Sequence, residues 1–142
     1  PYKESLWICI RRQVDMWSQH PALFFELRPE GGSYGFLLWQ PRPEAMERFR
    51  RDVAARPGYF PELLERAQSA SGLGLTAQPY KRPKPCPDAA LAPYFSWKGD
   101  LEAIAEVPAG PALFSPALAD QVGQTLESWL PVSNYFYQLT DV

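Results

Sequence analysis

Apolar and polar positions along this chain change period several times, and each change predicts an element. From Glu4 to Arg11 (ESLWICIR) apolar residues are almost continuous, the pattern of a strand covered on both faces. Ala22 to Arg28 (ALFFELR) and Ser33 to Trp39 (SYGFLLW) flank Pro29-Glu30-Gly31-Gly32 and predict a β-hairpin around a four-residue loop. That loop would pair Leu27 with Tyr34, Phe25 with Phe36 and Leu23 with Leu38, an apolar face that must meet the core. The other face would pair Arg28 with Ser33, Glu26 with Gly35, Phe24 with Leu37 and Ala22 with Trp39. It is mixed, and it sets the carboxylate of Glu26 beside a residue with no side chain.

The period then lengthens to that of a helix. Pro43 to Ala55 starts with proline and places Met46, Phe49 and Val53 on one side. Pro57-Gly58 interrupts, and Phe60 to Ala70 resumes with Phe60, Leu63, Leu64 and Ala67 as its stripe, ended by Ser71-Gly72-Leu73-Gly74. Thr76 to Pro87 carries four prolines and is predicted extended. Asp88 to Tyr94 reads as a short helix and Leu101 to Val107 as a strand. Ser115 caps a last helix with Pro116 at its first position and Leu118, Val122, Leu126 and Trp129 or Leu130 as its stripe. No repeat or linker divides residues 1–142, so the prediction is a single α+β domain. Its mostly antiparallel sheet has a central hairpin and is packed on one face by helices.

Composition agrees. The 142 residues are 46% apolar, with 5 Trp, 7 Tyr and 8 Phe, enough to close a core and too rich for disorder. Lys plus Arg total 14 and Asp plus Glu 16, a net charge of −2, which argues against nucleic acid as a partner. The run from Leu6 to Ile10 is too short for a membrane span. Cys9 and Cys86 leave one disulfide open but make no disulfide framework, which points to a reducing, cytoplasmic setting. The chain opens on Pro1-Tyr2-Lys3 with a strand-like run close behind, so residues preceding Pro1 are expected.

Several segments taken in order carry a resemblance. They are Pro1-Tyr2-Lys3, Phe25-Glu26-Leu27 through Ser33-Tyr34-Gly35, Met46 with Phe49-Arg50, Tyr80-Lys81-Arg82, Lys98, and Leu113-Phe114-Ser115. Together they resemble the bacterial domain of unknown function (DUF) 2461 family across essentially the whole chain. The resemblance implies an α+β domain with no established activity and a helical upstream segment. Where such members carry a second glycine two residues after the one matched by Gly35, this chain has Leu37.

Candidate chemistry is sparse. The sole histidine, His20, stands before Pro21 in a connecting segment, and no G-x-S-x-G elbow accompanies it. Cys9, Cys86 and His20 lack the close paired spacing of a zinc site, so neither a metal nor a cofactor is expected. The Gly31-Gly32 and Gly72-x-Gly74 pairs fit a turn and a helix end better than a phosphate loop. Trp7, Phe24, Phe36 and Trp39 are expected to build the core, and Tyr94, Phe95 and Trp97 to lie nearer the surface. Two features remain. The basic stretch Tyr80-Lys81-Arg82-Pro83-Lys84 is kept extended by proline and could hold a phosphate or carboxylate, or simply face water. Glu26, if covered, needs a cation, for which Arg50, Lys81, Arg82 and Lys98 are candidates, either as a structural pair or as an acid or base.

The leading functional expectation is therefore a small anionic ligand in a cleft on the mixed face of the hairpin, contacted by Glu26, Tyr34, Arg50, Lys81, Arg82 and Lys98. The alternatives are an enzyme using Glu26 as acid or base, and an interaction module using its aromatic surface in a homo-oligomer or larger complex.

Overall fold

A computed structural model describes residues 5–10 and 17–141. Five antiparallel strands form one sheet in the order β1-β2-β3-β5-β4: β1 (Leu6–Ile10), β2 (Ala22–Arg28), β3 (Gly31–Leu38), β4 (Thr76–Pro79) and β5 (Trp97–Pro108). The helices are α1 (Pro43–Ala55), α2 (Tyr59–Ser71), α3 (Ala92–Phe95) and α4 (Pro116–Thr140). This is the α+β architecture expected from the sequence, with the β2–β3 hairpin near its centre.

The hairpin departs from expectation in register. Gly31 and Gly32 belong to β3, and the connection is Pro29-Glu30 alone. Leu23 therefore pairs with Phe36, Phe25 with Tyr34 and Leu27 with Gly32, two residues from the expected partners. A shift of two keeps every side chain on its predicted face, because side chains alternate with period two. Tyr34, Phe36 and Leu38 are buried together with Leu23, while Phe25 and Leu27 are half-buried. Gly31 explains the shorter loop. Its φ is +151°, and a Cβ there would lie 2.3 Å from the carbonyl oxygen of Val107, so only glycine continues the strand past the turn.

On the helix-side face Leu23, Phe36, Leu38, Leu101 and Ala103 meet α1, α2 and α4. Phe49 of α1 and Phe60 of α2 make an edge-to-face pair at 5.0 Å, and Phe36 stacks on Trp129 of α4 at 5.8 Å. The predicted stripes of α1 and α2 are the buried ones, with Leu63 half-buried. On α4 the buried line runs Leu118, Thr125, Trp129, Val132 and Phe136, and Leu130 points outward. The closing aromatics Tyr135 and Phe136 thus dock on the body. Trp129 also donates its indole N–H to the Ser71 hydroxyl (2.8 Å), which donates to the Ala67 carbonyl and accepts from Leu73 N–H.

Other expectations change with context. Strand β1 is an edge, not a doubly covered strand, and Leu6, Ile8 and Ile10 are more than half exposed. The predicted ends of that strand, residues 4 and 11, lie outside the described residues. Cys9 and Cys86 are both half-buried and are not joined to each other. Phe24 and Phe36 are core residues as expected, whereas Trp7 and Trp39 are more than two-fifths exposed. Conversely Phe95 is buried, and Tyr94 and Trp97 pack against Phe60, all three drawn inward by the helices. Strand β5 begins at Trp97, earlier than predicted, because its first residues pair with β4. The short helical region after Asp88 is a 3-10 turn (Ala89–Leu91) leading into α3, with Asp88 accepting from Ala90 N–H.

Candidate functional site

The outer face of the sheet, opposite the helices, is built by alternation. Paired across the strands are Trp7, Glu26, Ser33 and Glu106 in one row, and Cys9, Phe24, Gly35 and Ile104 in the next. No described helix covers this face. Gly35 sits between Phe24 and Ile104 in the second row, and those two side chains line an open cleft of about 320 Å³. Phe24, Leu37 and Ile104 give its apolar floor, and Trp7 and Trp39 stand at its sides. Trp7 lies parallel to Phe24 at 4.8 Å, which fixes one wall. Gly35 cannot be replaced without disturbing the sheet, since its φ is +151° and a Cβ would lie 1.9 Å from the Ala103 carbonyl oxygen.

The polar rim is organised by one cation. Arg28 approaches Glu26 (3.4 Å), Glu30 (3.3 Å) and Glu106 (3.1 Å), and donates to the buried Ser33 hydroxyl at 2.9 Å. Glu102 is the third carboxylate on the lining, so three carboxylates face one guanidinium there. The partner of Glu26 is thus Arg28, two residues along its own strand, and not any of the four more distant cations considered above. The alternation that put both residues on the mixed face was the available signal. A half-buried Glu fixed by a neighbouring Arg behaves as a structural ion pair first.

The six residues predicted to share a site occupy different places. Glu26 is in the outer cleft. Tyr34 pairs with Phe25 and Ala105 on the opposite, helix-side face and is buried. Arg50 on α1 donates to the Tyr80 hydroxyl (3.1 Å), and Arg50 and Lys84 both lie over the Tyr80 ring, at 5.5 and 4.8 Å. Lys81, Arg82 and Lys98 are exposed and form no ion pair among the described residues.

Two further polar contacts lie elsewhere. Tyr135 donates to Asp52 at 2.5 Å, Asp52 also pairs with Arg56, and Arg56 covers the Tyr59 ring at 4.0 Å. Burial, then the hydrogen bond to Asp52, pushes the Tyr135 phenol well above its usual range. His20, in its connecting segment, is half-buried with Nδ1 3.0 Å from the Thr140 hydroxyl, and burial holds its pKa below the ordinary value. Among the described residues no group of acidic, His or Cys side chains could hold a metal ion, and no helix is long and apolar enough to cross a membrane.

A family model described as conserved hypothetical protein (DUF2461) matches residues 1–135. The chain belongs to that family. No curated protein and no solved structure matches it. Membership of DUF2461 brings no activity with it, so function has to be argued from the residues themselves.

Proposed function

We propose that this DUF2461 chain binds a small ligand in the cleft on the outer face of its sheet. The observation behind the reading is an open cleft with an apolar floor of Phe24, Leu37 and Ile104, indole walls and a carboxylate-rich rim. Concave apolar surface with a few convergent polar groups is the usual form of a ligand site. The rim modifies the anionic ligand expected from sequence. Three carboxylates against one Arg that is already engaged favour a flat apolar body carrying an ammonium or other donor group.

Thermal-shift titration with tryptamine and its acidic counterpart indole-3-acetate tests this, since a ligand that prefers the folded state raises the melting temperature. The amine should raise it and the acid should not. Ile104→Trp, which fills the floor, should abolish the effect. An equal response to both compounds, or none to either, removes the reading.

The anionic expectation is better served by a second place. Arg50, Tyr80 and Lys84 converge, with the cations Lys81 and Arg82 in the same loop. Phosphate protection of these side chains from amine- and guanidine-modifying reagents would support an anion site there.

A further inference from the structure

A separate pocket of about 290 Å³ lies on the helix side, where β3 and β5 meet the start of α4. Its walls are apolar, including Val107, Pro108 and Leu118, and its polar groups are Tyr34, Ser115 and Gln121, with Glu106 at one edge. The decisive residue is Tyr34. It is 2% exposed, and its hydroxyl has no hydrogen-bond partner among the described residues. Yet among the described residues no fully enclosed side-chain oxygen lacks a partner, so the Tyr34 oxygen keeps some access, and the pocket that Tyr34 lines is where it finds it. A phenol held this way has lost most of its water and gained nothing in return.

Around it, the other groups are suited to donate. Ser115 caps α4 by accepting from Ala117 N–H at 3.1 Å, so its own proton is free to point into the pocket. The 25-residue helix α4 directs its positive end to the same place. The Glu106 carboxylate is drawn toward Arg28 at 3.1 Å, which offsets its charge.

We infer that this pocket binds a small aliphatic carboxylate, with the Tyr34 and Ser115 hydroxyls donating to its oxygens and Val107, Pro108 and Leu118 packing on its tail. The inference is independent of the outer cleft. The volume, at the low end for ligand sites, limits the guest to a few heavy atoms.

The probe is butyrate, with n-butanol as its uncharged counterpart, titrated by amide chemical-shift NMR. Butyrate should give saturable shifts at Leu118, Gln121 and Val107, and butanol should bind at least about tenfold more weakly. Tyr34→Phe keeps the ring and removes only the hydroxyl, so it should weaken butyrate about tenfold or more while leaving the melting temperature unchanged. Gln121→Leu, at an exposed position, provides a second variant and should also weaken binding. Equal affinity for butanol, unchanged butyrate affinity in Tyr34→Phe, or shifts confined to the outer cleft at Trp7 and Phe24 would each overturn the assignment.

Discussion

Replacing Gly35 by alanine tests how closely the sheet is fitted at the floor of the outer cleft. Two costs add there. The backbone φ of +151° is one that residues with a Cβ rarely adopt, a strain of about 1–3 kcal/mol. The new Cβ would also lie 1.9 Å from the Ala103 carbonyl oxygen, and ordinary contact begins at 3.4 Å. That oxygen is backbone in the centre of the sheet, so strand β5 itself must withdraw and stretch the ladder that pairs Phe36 with Ala103. Losing one or two ladder bonds adds about 1–3 kcal/mol. The expected total is roughly 2–6 kcal/mol, a large share of a typical domain's stability. Gly72→Ala isolates the first cost. Gly72 has φ +74° as the C-cap of α2 and no atom within 4 Å of a built Cβ, so alanine should cost about 1 kcal/mol. Equilibrium urea unfolding of both variants, compared at equal m-value, gives the difference. If Gly35→Ala loses no more than Gly72→Ala, the close approach of β3 to β5 is not a constraint and the reasoning about the cleft floor fails.

Ser71→Ala should destabilise the protein by about 1–3 kcal/mol, because it strands the indole N–H of the fully buried Trp129. Ser128→Ala, on the exposed side of α4, should change stability by less than about 0.5 kcal/mol in the same chemical denaturation experiment. The raised phenol of Tyr135 means that the folded state holds a proton which the unfolded chain releases near pH 10. Its contribution is therefore complete below pH 10 and declines as pH rises beyond it. Tyr135→Phe should flatten that alkaline decline in melting temperature measured between pH 9 and 11, and an unchanged slope would show that Tyr135 does not cause it.

The hairpin shows how much of the site was legible. Alternation along Ala22 to Arg28 assigned every side chain to its correct face, because that assignment depends only on a period of two. The register was not legible, since nothing local says that a Cβ at position 31 would lie 2.3 Å from the Val107 oxygen. The same limit hid the partner of Glu26. Arg28, two residues away on the same face, reaches Glu26 where the more distant cations do not. Trp7 and Trp39 read as core by residue type, yet the described helices cover the other side of the sheet. Tyr34 lies on the helix side beside Val107 and Leu118, away from the other five residues expected to share its site.

The amino-acid order alone determined the α+β class, the buried stripes of α1 and α2, the proline-led helix starts and the two faces of the hairpin. These follow from short-range periodicity and from backbone limits that each residue carries wherever it is placed. Only the three-dimensional packing decided the register of the hairpin and left Trp7 and Trp39 exposed. It set Arg28 beside Glu26, put the Ala103 carbonyl oxygen where a Cβ on Gly35 would lie, and brought Arg50 to Tyr80. Those outcomes depend on contacts between residues far apart in the chain, and local pattern does not encode such contacts one residue at a time.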